Sequence, residues 1–463
     1  MTQRAVLPRV LVSAPATGQG KTTVATGLMA ALRAQGTTVS GHKVGPDYID
    51  PGYHGLATGR PGRNLDPHLV GEERVVPLLL HGAAGADLAV VEGVMGLFDG
   101  RLGTDGFAST AHVARLTRTP VVVVVDVERA SRTVGALVAG LAGYEADLDV
   151  AGVILNRARR GRNLLEIERA TRVPVLGALP ARPDLETPSR HLGLVPAAER
   201  PRSVEMVRRL AEVVAGHVDL DAVRELAGTA PALEAGPWDP VVELGGEPSP
   251  TGASPVVAVA GGRAFTFRYA ETDELLAAAG CEVVAFDPLT ATGLPAGTSA
   301  LYLGGGFPEV YAAALSANRA LARDVRTAVG SGLPVVAECA GLLYLARTLD
   351  GLPMAGAIPA AAAMTDRLTL RYPVASATVD SLVTRAGDQV TGHEFHRTAT
   401  DPVHGARAAW TIDGKPTGFA SESLHASYLH VHWAGHPALA RRFADAARAY
   451  ARGHAHSSPR VAG

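Results

Sequence analysis

Two successive α/β units are predicted from three features of the chain. Apolar runs of strand length recur along it, with helical patterns between them. Polar clusters fall directly after those runs, where open parallel sheets bind ligands. The alternation lapses between residues 236 and 255, which carry Pro237, Pro240, Gly245, Gly246, Pro248, Pro250, Gly252 and Pro255. Such a segment reads as a linker. The division expected is therefore 1–235, a linker over 236–255, a second unit over 256–455 and a disordered tail over 456–463. At 463 residues the chain exceeds what one core usually holds.

The first unit is organised around Val10 to Thr23. Val10 to Val12 suits a buried strand, Thr17 to Gly20 is a glycine turn, and from Lys21 the pattern is helical until Gln35-Gly36, with Val24, Leu28 and Leu32 near one face. Strand, glycine turn, Lys-Thr and helix is the context of a P-loop. Glycine lets backbone N–H groups close on phosphate oxygens, and the helix N-terminus adds its dipole. Pro15 stands where the usual motif has its first glycine. Thr17, Gly18, Gly20, Lys21, Thr22 and Thr23 are nucleotide-binding candidates, with Asn156 at the end of a later strand. Thr38 to Gly41 reads as a second strand, followed by a loop from His42 to Pro51, and residues 52 to 72 as further loop with short helical turns. Asp87 to Val91, Val121 to Val125, Val150 to Leu155 and Val173 to Leu179 are the remaining strands. Thr22, Asp47 and Glu92 offer the hydroxyl and carboxylate oxygens that Mg²⁺ takes beside phosphate and water. Asp99 lies in a glycine-flanked apolar loop, Gly93 to Gly100, that suits a ligand-facing segment as well as a buried one.

In the second unit, strands are expected at Val256 to Ala260, Glu282 to Phe286, Ala300 to Leu303, Leu333 to Ala337 and Tyr428 to Val431, and a last helix from about Pro437 to Ala451. Cys339 falls on a tight strand-to-helix turn, the geometry of a nucleophile elbow. The helix N-terminus behind it is expected to lower the thiol pKa. Cys281 begins a strand with no turn around it and reads as a buried structural cysteine. Gly304-Gly305-Gly306 follows a strand and can aim backbone N–H groups into an oxyanion pocket. His393, His396, His430 and His432 are the candidate bases. By strand alternation His430 and His432 share a face, so spacing does not choose between them.

Composition excludes several classes. Hydrophobic residues at 47% and charged residues at 19% describe an ordinary globular protein. Lys+Arg 43 against Asp+Glu 45 leaves no electrostatic case for nucleic acid or an anionic membrane. Two cysteines are too few for a disulfide framework, no apolar run reaches membrane-spanning length, and no export signal is visible, so a cytoplasmic location is expected.

The motifs SAPATGQGKTT, KVGPDYIDP, EGVMGLFDG, GGGFPE, AECAGLLYL, GHEFH and SYLHVHW, in that order, resemble the glutamine-dependent a,c-diamide synthases that act on cobyrinic or hydrogenobyrinic acid in cobalamin biosynthesis. The resemblance covers nearly the whole chain. It implies a dethiobiotin-synthetase-like ATP domain followed by a class I glutamine amidotransferase domain, with ATP as co-substrate and Mg²⁺ as cofactor. It implies Cys339 as nucleophile and His432 as base, aligned with the histidine of a Phe-His-Pro-Glu ending. Trp433-Ala434 stands where that ending has Pro-Glu, so the usual triad glutamate is absent. Gly305 and Ala340 are the implied oxyanion residues, Ala340 standing where relatives generally have glycine. Tyr48, Ile49 and Asp99 are the implied corrinoid contacts. The partners implied are corrinoid, L-glutamine and ATP, with neither nucleic acid nor membrane; a homodimer is compatible.

Two other readings stand beside this one. Amidation of a related tetrapyrrole, nickel-sirohydrochlorin or a cobyric acid precursor, uses the same chemistry; the KVGPDYIDP loop argues against the cobyric acid route. A P-loop ATPase switch of the partitioning type carries a lysine four residues before the glycine of Gly-Lys-Thr. Here that residue is Ala16, and a switch has no use for Cys339.

Overall fold

Val10, Leu11 and Val12 are fully buried because strands lie on both sides of them and helices on both faces. The computed structural model describes residues 4–182, 189–190, 193–194, 196–199, 202–246 and 254–455. Contacts divide the chain into two units, Met1–Trp238 and Asp239–Gly463. The expected linker residues 247–253 and tail residues 456–463 lie outside the described residues.

In the first unit β1 (Arg9–Ser13) leads through a loop into α1 (Lys21–Ala34). There follow β2 (Val39–Val44), α2 (Asp50–Thr58), β3 (Arg63–Leu65), β4 (Leu88–Glu92), β5 (Val121–Asp126), β6 (Val150–Ala158) and β7 (Val175–Pro180). These seven strands form one sheet in the order β3-β2-β4-β1-β5-β6-β7, every pairing parallel. The reversal of strand order at β1 puts the P-loop at the topological switch point, where such sheets bind ligands. α1 also lies against α3 (Ser203–Ala215), where Gly27 gives room: a Cβ there would come within 2.5 Å of Val214.

The segment 50–65, expected as loop with short helical turns, holds the nine-residue helix α2 and the strand β3. Pro51 at the helix start presets φ, Gly59 in the left-handed conformation ends it, and β3 pairs with β2 over His42–Arg63 to Val44–Leu65. The irregular backbone expected over 42–51 shrinks to residues 45–49.

The second unit has a six-stranded sheet. Its strands are β8 (Val256–Ala260), β9 (Glu282–Phe286), β10 (Thr298–Leu303), β11 (Val335–Glu338), β12 (Phe419–Ala420) and β13 (Leu424–Ser427), in the order β9-β8-β10-β11-β13-β12. Only the β12–β13 pairing is antiparallel. Helix α4 (Ala270–Ala278) follows β8, α5 (Ala340–Leu345) follows β11, and α6 (Pro437–Ala455) ends the described chain four residues beyond its expected limit at Ala451. The strand expected at Tyr428–Val431 lies earlier, at β13. Its partner β11 turns away at Cys339, whose N–H donates to the Ser427 carbonyl, and beyond that point only a single antiparallel bridge, His393 to His430, continues the pairing.

Candidate active site

Gly20 caps α1 in the left-handed conformation, at φ 94°, and a Cβ there would stand 2.2 Å from Asn156 Nδ2. Glycine is needed on both counts. Asn156 Nδ2 donates to the Gln19 carbonyl at 2.9 Å, and Gln19 Oε1 accepts from the Asp126 N–H at 2.8 Å, so the ends of β5 and β6 hold the loop. Thr17 and Gly18 are exposed on it, and Thr23 is half-buried in the first turn of α1. Lys21 Nζ donates to the carbonyls of Met95 (2.5 Å) and Ala16 (3.3 Å). Burial, then the charge of Lys43, lowers its pKa to about 8. The lysine at the loop mouth, bent onto these carbonyls, stands where a P-loop lysine meets phosphate.

Beside it lies a buried polar cluster that the sequence reading met only in part. Thr22 Oγ1 donates to Glu92 Oε1 at 2.6 Å. Lys43 Nζ stands 2.8 Å from Glu92 Oε1 and 2.7 Å from Asp50 Oδ2, and donates to the Gly93 carbonyl. His54 Nε2 is 2.7 Å from Glu92 Oε2. Burial on its own would raise Glu92, but Lys43 and His54 outweigh it and hold the carboxylate well below its ordinary value. Burial would likewise lower Lys43, but Asp50 and Glu92 keep it firmly charged. Asp50 is pushed up by burial and by the neighbouring Asp47 and Glu92.

Thr22 and Glu92 thus come together as expected for metal ligands, while Asp47 turns elsewhere. Its Oδ1 accepts from the N–H groups of Ile49 and Asp50 at the entry to α2, and Asp50 takes the place beside Thr22, 3.3 Å from its hydroxyl. Among the described residues no three or more His, Cys, Asp or Glu side chains form a metal cage. Hydroxyl and carboxylate oxygens beside a P-loop fit the way Mg²⁺ binds, with few protein ligands and the rest from phosphate and water. Of the expected substrate contacts, Tyr48 is half-exposed, whereas Ile49 is buried, the apolar cover of the turn into α2. Asp99 is exposed and accepts from the Gly96 N–H at 2.8 Å, shaping the loop that carries Met95 to Lys21.

In the second unit Cys339 occupies φ 46°, ψ −97°, a strained backbone for a residue with a Cβ and the mark of an elbow. The turn is held by Cys339 N–H to Ser427 and by Gly341 N–H to Gly304, 3.0 Å. The expectation of a thiol made acidic by its helix is overturned. Burial, then Glu309, pushes the thiol pKa far up; the Ala340 N–H, which donates to the sulfur, opposes this without prevailing. A six-residue helix cannot offset so dry a site. Cys281 is buried too, its pKa pushed up to about 11 by burial.

Gly305 does not offer its N–H to a pocket, because that group donates to the Phe267 carbonyl at 3.0 Å. Its missing side chain is what counts: a Cβ there would meet His430 Cε1 at 2.3 Å. His430 therefore lies on the glycine loop. It stacks on His393, with ring centroids 4.8 Å apart, and its Nδ1 is 3.8 Å from Glu338 Oε2. Burial, then His396, holds its pKa down at about 3, so the ring is neutral. His432, fully buried, faces another way. It stacks on Tyr269 at 4.1 Å, with Nε2 3.7 Å from Glu271 Oε2 at the start of α4. The structure thus separates the two histidines, and it is His430 that meets the glycine loop and the residue preceding Cys339.

A P-loop on one sheet and a cysteine elbow on another, in a single chain, define the class of glutamine-dependent amidating enzymes. Residues 10–195 match the CobQ/CobB/MinD/ParA nucleotide binding domain, and residues 256–438 the CobB/CobQ-like glutamine amidotransferase domain. The chain is 58% identical over 460 residues to hydrogenobyrinate a,c-diamide synthase of Thermobifida fusca, covering 96% of this chain and 97% of that one. It is 52% identical to the enzyme of that name from Streptomyces coelicolor, over 96% of this chain and 98% of that one. It is 40% identical to cobyrinate a,c-diamide synthase of a Synechococcus strain, over 94% and 98%. The chain belongs to the a,c-diamide synthase family.

Proposed function

We propose that this enzyme converts the a and c acetate side chains of hydrogenobyrinic or cobyrinic acid to amides, using ATP and glutamine. The observation that carries the reading is the pairing, in one chain, of the Lys21–Thr22–Glu92 phosphate site with the Cys339 elbow. The similarity to named synthases over nearly the whole length supports the substrate class. The first unit, to about residue 235, would activate the carboxylate, and the second, from about 256, would supply ammonia.

In this reading Thr17, Gly18, Gly20, Lys21, Thr22, Thr23 and Asn156 bind the nucleotide. Lys21, its proton secured by the phosphates, stabilises the phosphoryl group as it passes to a substrate carboxylate. Thr22 and Glu92, with Asp50 beside them, would hold Mg²⁺, which supplies charge neutralisation at the phosphates when bound. Lys43 keeps Glu92 ionised for that purpose. Tyr48 and Asp99, on loops at the strand ends, contact the corrinoid. Ammonia displaces phosphate from the acyl phosphate and leaves the amide. In the second unit the Cys339 thiol gives its proton to a histidine and the sulfur attacks the glutamine amide carbon. The C–N bond breaks, the proton leaves with ammonia, and water hydrolyses the thioester to glutamate. His430 is the better-placed base, because it lies on the glycine loop, whereas His432 is packed against Tyr269 and Glu271. The Ala340 N–H, which donates to the Cys339 sulfur, would turn to the oxyanion once that sulfur bonds carbon. No helix among the described residues is long and apolar enough to cross a membrane, in keeping with a cytoplasmic enzyme; a homodimer is compatible with the reading.

Incubation with hydrogenobyrinic acid or cobyrinic acid, ATP and glutamine, followed by product mass, tests the proposal. Diamide from either corrinoid supports it and identifies the substrate. ATP-dependent glutamine turnover with amide on neither would overturn it.

A further inference from the structure

A neutral histidine serving as base to a thiol of raised pKa is a weak pair. Moving the thiol proton to the imidazole creates two charges in a buried site, and something must stabilise the cation. Glutamine amidotransferases of the class I type meet this need with a glutamate shortly after the histidine. Here neither histidine has one: Val431 and His432 follow His430, and Trp433 and Ala434 follow His432. The fold brings a carboxylate to His430 from elsewhere. Glu338 is the last residue of β11, immediately before Cys339, and its Oε2 lies 3.8 Å from His430 Nδ1.

We infer that Glu338 is the positioning carboxylate of the ammonia-releasing site, standing in for the absent glutamate and acting through His430. The inference rests on the amidotransferase reading, with Cys339 as nucleophile and His430 as base. Three features support it. Glu338 is 5% exposed, and its carboxylate is fixed by donors from the Tyr302 and Trp433 side chains and the Val431 N–H. A buried carboxylate so held is expensive to keep merely for packing. The other partner is fixed as well: His430 exchanges backbone hydrogen bonds with His393, 3.0 Å each way, and lies against Gly305. Finally, Glu338 approaches the ring at Nδ1, and in the proposal the thiol proton goes to the other ring nitrogen, Nε2. The present 3.8 Å separation lies between a neutral ring and a buried carboxyl, and it is expected to shorten once the ring carries a proton, as catalytic contacts do when substrate arrives. Burial pushes the Glu338 pKa up to about 8; at this separation a proton gained by His430 would favour ionisation of Glu338, and the reverse.

The test is a double-mutant cycle read on glutamine hydrolysis, with ammonium-dependent amidation assayed beside it. Glu338→Gln keeps the size and an acceptor oxygen but removes the charge. It should lower kcat for glutamine hydrolysis by about tenfold or more, with KM for glutamine little changed and ammonium-dependent amidation retained. Glu338→Asp should recover part of the loss. In a His430→Ala background the same Glu338→Gln change should cost nothing further, because its effect runs through the missing ring. Wild-type hydrolysis by Glu338→Gln would overturn the inference, and so would an equal loss in both backgrounds, which marks a structural role. Full hydrolysis by His430→Ala alone would instead remove the base assignment, and the inference with it.

Discussion

Lys21 and Lys43 are both buried cations of the first unit, and their partners make them behave oppositely. Lys21 donates to two carbonyls, and burial lowers its pKa from 10.5 to about 8; Lys43 is paired with two carboxylates and stays charged. Lys21 therefore releases its proton at a lower pH in the folded protein than it would in the unfolded chain. Its charge costs stability below about pH 8, and the cost is relieved as pH rises through that value toward 10.5. Phosphate oxygens reverse the shift. ATP binding above about pH 8 should take up a proton, and Lys21→Met should abolish the uptake; calorimetry in buffers of different ionisation enthalpy reads it directly. Lys43→Met should act on folding instead. It strands Glu92 and Asp50 in a dry site and should lower the stability of the first unit by about 3 kcal/mol, seen as an earlier thermal transition. A variant that melts like wild type would show that the two carboxylates do not depend on Lys43.

At the level of elements, most of the parallel strands were legible because they are short apolar runs closed by polar clusters; β3 and β13 were not. Val256–Ala260 and Glu282–Phe286 match the expected limits, and Val121–Asp126 is one residue longer. What was not legible came from density of Gly, Pro and Asp being read as loop. Pro51 and Gly59 open and close helix α2, and that helix carries Asp50 and His54, four residues apart on one face, to Glu92. The Asp-x-x-x-His spacing was the available signal. The elbow at Cys339 was legible, but the different surroundings of His430 and His432 were not, since they depend on β13 ending at Ser427 rather than on strand alternation. The elbow itself offers a test. A Cβ on Gly341 would stand 2.3 Å from the Leu303 carbonyl, a backbone atom that cannot swing aside. Gly341→Ala should therefore push α5 off β10, cost the second unit about 1–3 kcal/mol and depress glutamine hydrolysis, while ammonium-dependent amidation persists. Unchanged hydrolysis would mean that the close approach of α5 to β10 does not set the thiol's position.

At the scale of the whole molecule, each unit holds a complete sheet, and the two chemistries sit on different sheets. In the proposed sites, Lys21 and Thr22 open helix α1 after strand β1 and Glu92 ends strand β4 of the seven-stranded sheet, while Cys339 follows β11 of the six-stranded sheet and His430 lies in the chain leaving β13. Damage to one site should therefore leave the partial reaction of the other. Lys21→Ala should lose amide formation with either nitrogen source, because the phosphoryl group in flight lacks its cation, yet keep basal glutamine hydrolysis. Cys339→Ser should lose glutamine-dependent amidation, since a serine hydroxyl is a poorer nucleophile at a neutral histidine, yet form amide from ammonium salt at alkaline pH, where free ammonia reaches the acyl phosphate without glutamine. His430→Ala should follow Cys339→Ser, and His432→Ala should be milder, the reverse of what alignment with the Phe-His-Pro-Glu ending implies. Comparing both nitrogen sources in all four variants checks the assignment at once. Glutamine-dependent synthesis at a near-normal rate by Cys339→Ser would remove the thiol from the mechanism, and amide formation by Lys21→Ala would move the ATP site off the P-loop.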